Sequence, residues 1–219
     1  MVMANPTTFP KGKVTFLLPG AAGDIEVAST ALASTQGNKV IVICHPHPLY
    51  GGTMENKVAT TLVRTFSELG FNTVRFNFRG VGASTGEHDA GIGEADDLLT
   101  VFDWISRVLP KVELWLAGFS FGAYVAYRVA TSSQYQNKIK QLLLIAPPIQ
   151  YPEFNILPAP TMPWTIVQGE EDEVVVPQAV FAWLDGITPP ARLFRMPTAS
   201  HFFHGKLVDL KHLLTEAFR

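Results

Sequence analysis

The sequence predicts an α/β fold, with a mostly parallel sheet and helices on both of its faces. Short runs rich in β-branched and aromatic residues alternate with longer segments of helical period across most of the 219 residues. The internal runs VIVIC, VELWLA and QLLLI are continuously apolar, as strands buried on two sides are. With 47% hydrophobic and 16% charged residues the chain supplies one sizeable core, and its length is short for two ordinary domains, so residues 1–219 read as a single domain.

Taken in order, Pro6 and Pro10 precede the first short apolar run, and no charged segment leads into a signal-type stretch; no secretion signal is read. Val14–Leu18 and the segment DIEVAS have no helix between them and share a Gly20–Gly23 turn, which predicts an antiparallel hairpin at one sheet edge. Further strands are expected at Lys39–Cys44, Asn72–Phe78, Val112–Ala117, Gln141–Ile145, Trp164–Val167 and Ala191–Met196. Helical spacing predicts Asn56–Leu69, Glu94–Leu109, Ala123–Ser132, Pro177–Leu184 and Lys206–Phe218. In the second of these, Val101, Trp104, Ile105 and Val108 fall on one face. Prolines at 147, 148, 152, 158, 160 and 163 deny regular structure to Ala146–Pro163, which reads as a connector. In open sheets of this kind, function collects at the C-terminal ends of the strands.

Composition removes several function classes. Seventeen basic against nineteen acidic residues give a formal charge of −2, with no footprint for nucleic acid or anionic lipid. One cysteine, Cys44, excludes an intramolecular disulfide and a four-cysteine zinc site, and suits a reducing compartment. No apolar stretch approaches the roughly 18 to 20 residues that span a bilayer. The expectation is a cytoplasmic protein without a membrane anchor, acting on a small molecule; oligomeric state leaves no sign in the sequence.

The pattern G-x-S-x-G occurs twice, at Gly118–Gly122 around Ser120 and at Gly82–Gly86 around Ser84. A nucleophilic serine needs a sharp turn straight off a strand, glycines that let neighbouring elements approach, and a helix opening behind it. VELWLA-GFSFG-AYVAYRVA supplies all three. After Gly86 comes EHDAGIGE, a loop, so Ser84 reads as a turn residue. The same stretch, Asn77–Gly86, imitates a dinucleotide-binding loop, but no helix opens on its third glycine to hold a pyrophosphate; no cofactor is expected.

A serine hydroxyl attacks only if a base takes its proton and an acid orients the base. Of six histidines, His201 follows the last strand most closely, with His204 second; His88 falls in the wrong chain order and His212 within a helical pattern. The acids after PWTIVQ are Glu170, Glu171, Asp172 and Glu173. The spacing from Gly169 to Val175 puts Asp172 at the loop tip, with Glu170 second and the others as solvated turn charges. Acyl transfer also needs two backbone N–H donors aimed at the developing oxyanion. One is Phe121, after the nucleophile. In His45-Pro46-His47-Pro48 the prolines have no N–H, which leaves the backbone of His47 as the other. Competing readings are a zinc site on His45 and His47, for which no third ligand is evident nearby, and a thiol nucleophile at Cys44, whose position at the end of an apolar strand favours packing. No metal is expected.

CHPHPLYGGTMENKV, FNFRGVGASTG followed by GIGEADD, AGFSFG, QGEEDEVV and SHFFHG together resemble a family of small, lid-less α/β-hydrolases widespread in bacteria. The resemblance implies an eight-stranded α/β-hydrolase core, a Ser120-Asp172-His201 triad, His47 and Phe121 as oxyanion donors, and Arg79–Gly86 as a structural loop beside the site. One departure is Ser200, where members of the family often carry an acidic residue. The expected activity is a carboxylesterase-like serine hydrolase acting on small or soluble esters or thioesters through an acyl-enzyme. The alternatives are a non-catalytic interaction protein on the same fold and a metal-dependent hydrolase. Tyr50, Phe119, Phe121, Tyr151, Phe154 and Phe202 are the aromatic residues available for an acyl pocket.

Overall fold

The computed structural model describes residues 3–31 and 39–219. Its strands are β1 (Met3–Ala4), β2 (Gly12–Gly20), β3 (Gly23–Ala31), β4 (Lys39–Cys44), β5 (Asn72–Phe76), β6 (Glu113–Phe119), β7 (Ile139–Ile145), β8 (Trp164–Gly169) and β9 (Arg192–Met196). They form one sheet in the order β1-β2-β3-β5-β4-β6-β7-β8-β9. Strands β2 to β9 are the expected eight, and the two-residue β1 adds a short parallel pairing outside β2. β2 and β3 form the antiparallel edge hairpin, β3 also runs antiparallel to β5, and every pairing from β5 to β9 is parallel.

The helices are α1 (Lys57–Glu68), α2 (Ile92–Val108), α3 (Phe121–Ala130), α4 (Glu153–Ile156), α5 (Pro177–Asp185) and α6 (Leu207–Phe218). The apolar side chains of α1 and α6, Val58, Leu62, Phe66, Leu210 and Leu214 among them, bury one sheet face. α2, α3 and α5 cover the other, where Leu98, Trp104, Tyr127 and Val180 join the inward residues of the sheet. α4 is one turn inside the connector, whose prolines suggested no regular structure; Pro152 stands at its N-cap, outside the helical hydrogen bonds. β5 stops at Phe76 rather than Phe78: Asn77 N–H still donates to Glu26 O of the neighbouring β3 (2.9 Å), but Phe78 N–H leaves the sheet for the ring of His45 (3.0 Å).

β4 lies between β5 and β6, so the chain winds outward through α1 and then returns across β4 through α2. This reversal opens a crevice at the C-terminal ends of β4 and β6, the place where open parallel sheets bind ligands. The loop after Cys44 and the turn at Ser120 both end there.

Candidate active site

Ser120 sits between β6 and α3 at φ 53°, ψ −121°, a left-handed conformation that costs a non-glycine residue on the order of 1–3 kcal/mol. The flanking glycines make the turn sterically feasible. A Cβ on Gly118 would meet the Gly122 carbonyl oxygen, and one on Gly122 would meet the carbonyl oxygens of Cys44 and His45. Close approach of β6, α3 and the end of β4 therefore requires glycine at both places. The Ser120 N–H is given to Ile145 O at 2.9 Å, which leaves its hydroxyl at the mouth of the crevice.

The structure brings Ser120, His201 and Asp172 into one hydrogen-bonded chain. Ser120 Oγ lies 2.9 Å from His201 Nε2, and His201 Nδ1 lies 2.8 Å from Asp172 Oδ2. Since the carboxylate accepts, Nδ1 carries the proton and Nε2 is free to accept from the serine. Asp172 accepts three further bonds: from the Val174 and Val175 N–H groups (2.9 and 2.7 Å) and from Gln168 Nε2 (3.0 Å). Burial alone would raise its pKa; the His201 bond and these backbone donors outweigh it and hold the carboxyl below the usual range. Glu173 lies outside this relay but accepts the His201 N–H at 3.0 Å, which fixes the loop that carries His201. Glu170 pairs with Arg195 at 2.6 Å, away from the histidine. His204 and His212 are exposed.

His47 and Phe121 lie side by side next to Ser120, their rings 4.7 Å apart. The loop bearing His47 is tied down by Gly52 N–H donating to His47 O (3.0 Å) and by a 3₁₀ turn over Pro48–Tyr50, capped where His47 Nδ1 accepts from Leu49 N–H (3.3 Å). His45 is a different kind of group. Fully buried, it places Nδ1 2.6 Å from Pro46 O and accepts the Phe78 N–H on Nε2. Both ring nitrogens are thus engaged within the protein, and this donor set does not suit a His45/His47 zinc site. Burial keeps the ring neutral, its pKa brought down to about 4. Cys44 is buried, and desolvation pushes its thiol well above the ordinary value, far from a reactive thiolate.

A crevice of about 410 Å³ opens at Ser120 and His201, lined also by Pro46, His47, Tyr50, Asn56, Val174 and Phe202. Of the aromatic residues considered for an acyl pocket, Tyr50 and Phe202 line it. Phe119, Phe121 and Phe154 are core, and Tyr151 stacks on Tyr124 at 5.0 Å. Ser84 is structural: its hydroxyl donates to Asn77 O (2.7 Å) and accepts from Glu26 N–H (2.9 Å), clamping the Arg79–Gly86 loop to β3. Arg79 anchors the loop's other end on Asp97, with Nη2 2.8 Å from Oδ1.

The sequence profile of the α/β-hydrolase fold matches residues 39–165, more than half of the chain. The chain belongs to the α/β-hydrolase fold family. This hydrolase is 45% identical to an α/β serine hydrolase homologue from Coxiella burnetii, over 100% of both chains and with a TM-score of 0.89. It is 42% identical to an α/β serine hydrolase without a lid from Xanthomonas campestris, covering 97% of this chain and 95% of the other, TM-score 0.88. An uncharacterized Rickettsia prowazekii protein is 36% identical over 71% of this chain, and the matched region spans 66% of that protein's length. Like the Xanthomonas protein, this hydrolase shows no lid among the described residues: the connector with the one-turn α4 is all that stands between β7 and β8. Among the described residues no helix is long and apolar enough to cross a membrane.

Proposed function

We propose that this hydrolase cleaves small or water-soluble carboxylic esters, with thioesters as a second substrate class, through a Ser120-His201-Asp172 triad. The observation that carries the reading is the unbroken relay from the strained serine through His201 to a buried, fourfold hydrogen-bonded carboxylate. Ser120 Oγ attacks the acyl carbonyl while His201 Nε2 takes its proton; the backbone N–H groups of His47 and Phe121 receive the oxyanion; His201 then protonates the leaving group. Water repeats the cycle on the acyl-enzyme, with His201 again as base. No metal or organic cofactor takes part in these steps. The apolar, uncharged lining of the crevice suits an uncharged acyl or leaving group, and the absence of a lid suits substrates in solution.

Labelling with a fluorophosphonate probe tests the reading. The wild type and Ser84→Ala are expected to label and Ser120→Ala to remain unlabelled, with no effect of a chelator. A wild type that neither labels nor hydrolyses p-nitrophenyl butyrate would overturn it, as would loss of activity on chelation. Strong activation at an emulsified lipid interface would overturn the preference for soluble esters.

A further inference from the structure

Beside the proposed oxyanion hole lies a second histidine–carboxylate contact that the relay does not use. His88 Nδ1 stands 2.7 Å from Glu94 Oε1, with the glutamate side chain fully buried and the histidine side chain 15% exposed. Glu94 is itself fixed: Oε1 accepts the Asp89 N–H (3.0 Å) and Oε2 the Gly91 N–H (2.7 Å), closing the N-terminus of α2. Glu94 is thus spent on the backbone at the start of α2, and His88 Nδ1 approaches it closely without a hydrogen bond. The imidazole in turn packs on both residues whose backbones are assigned to the oxyanion hole, with ring centroids 4.9 Å from His47 and 5.4 Å from Phe121. With the 4.7 Å contact between His47 and Phe121, the three rings form a closed set, and Tyr50 extends it from the outer side of His47 at 4.8 Å.

We propose that His88, packed between Glu94 and the rings of His47 and Phe121, is a positioning residue that holds the backbones of His47 and Phe121 in register for the oxyanion. The proposal rests on the serine hydrolase reading of this site. The segments of His47 and Phe121 meet through Gly122, which packs on the carbonyls of Cys44 and His45 on the side of β4, and through their own rings; His88 adds a contact to both from outside that seam. Displacement of reacting groups by about 1 Å costs on the order of 10²-fold in rate, which makes a brace between two separate donors worth keeping. The state of His47 fits the same picture. Burial and the neighbouring His88 lower its pKa against the pull of Glu94, and the neutral ring keeps Nδ1 available to cap Leu49.

The test compares wild type, His88→Ala and His88→Phe in kcat and KM for p-nitrophenyl butyrate, in the affinity of a trifluoromethyl ketone that forms a tetrahedral adduct, and in thermal midpoint. His88→Phe keeps a ring near His47 and Phe121 but sets a bulkier, apolar edge against the Glu94 carboxylate, so the ring has to shift. Both variants are expected to lose about tenfold or more in kcat with KM within about twofold, and to bind the ketone more weakly by a similar factor, since oxyanion stabilisation acts on the transition state. If His88→Ala does not fold, His88→Phe carries the test. Wild-type kcat and ketone affinity in His88→Phe would overturn the proposal, as would a rise in KM at constant kcat. An inactive, unlabelled wild type would instead remove the serine hydrolase reading, and this proposal with it.

Discussion

His45 makes a stability prediction that follows from its surroundings alone. Its ring has an ordinary pKa of 6.5, brought down to about 4 by burial, with the Pro46 hydrogen bond opposing. In the unfolded chain the imidazole takes up a proton near pH 6.5; in the folded protein it stays neutral until about pH 4. A depressed folded-state pKa contributes stability that is complete above the unfolded value and is lost as the pH falls through the folded one. At about 1.4 kcal/mol per pKa unit the full window is worth roughly 3 kcal/mol, of which about 2 kcal/mol is lost by pH 5. Urea unfolding of wild type and His45→Gln at pH 7.5 and pH 5.0 measures it. Glutamine keeps an acceptor for the Phe78 N–H but does not titrate, and every other group titrates alike in both proteins, so the difference between the two pH effects isolates His45. The wild type is expected to lose about 2 kcal/mol more than the variant between the two conditions. Equal losses would show that His45 is protonated in the folded protein or titrates unperturbed, and would refute the buried neutral assignment.

Asp172→Asn is expected to lower kcat by about 10⁴-fold while leaving the fold intact, because an amide does not select the Nδ1-protonated tautomer of His201; ester hydrolysis beside circular dichroism reads both parts. Gly52→Ala places a Cβ 2.6 Å from His47 O, so the loop carrying the proposed donor has to shift; a kcat loss of about tenfold or more is expected, and unchanged kinetics would show that the loop position does not matter. Arg79→Met removes the guanidinium from Asp97 and leaves it only the backbone N–H of residue 79 (2.9 Å), in a site where Asp97 is 1% exposed. The expected cost in urea unfolding is about 3–5 kcal/mol. Burial raises the Asp97 pKa despite the Arg79 hydrogen bonds, so the pair is barely compensated for its desolvation; the double variant Arg79→Met/Asp97→Leu is expected to recover part of that loss, the rest staying with the residue 79 N–H that loses its acceptor.

The arrangement of strands and helices was legible because it rests on periodicity, which is local. The continuous apolar runs of β4, β6 and β7 and the helical faces of α1 and α2 leave one way to bury them, a sheet covered on both sides. Element ends were less legible wherever a distant partner set them. β5 ends early because the Phe78 N–H bonds to the ring of His45, 33 residues away along the chain. α2 begins at Ile92, ahead of its first strongly periodic residues, because Glu94 caps it through Gly91 N–H. That one carried a usable signal, since a glutamate at the third helical position is a recognised start mark.

The site divides along the same line. Ser120 was legible from strand, glycines and helix within one short window, and Ser84 was separable from it because the helix is missing behind Gly86. The steric reason for Gly122, however, lies at the end of β4, nearly eighty residues upstream, where a Cβ would meet the carbonyls of Cys44 and His45. Four adjacent acids after β8 offered no local rule for separating Glu173 from Glu171, because what distinguishes Glu173 is the His201 N–H, 28 residues further on. His45 and His47 invited a metal reading by their spacing, yet their rings lead separate lives: one is spent on Pro46 and Phe78 inside the protein, the other packs on Phe121 and His88 at the crevice. Spacing states which side chains share a turn; only the fold determines which backbone groups have already claimed their nitrogens. For that reason His45 belongs with the supports of the candidate site and His47 with the lining of its crevice, although only Pro46 separates them.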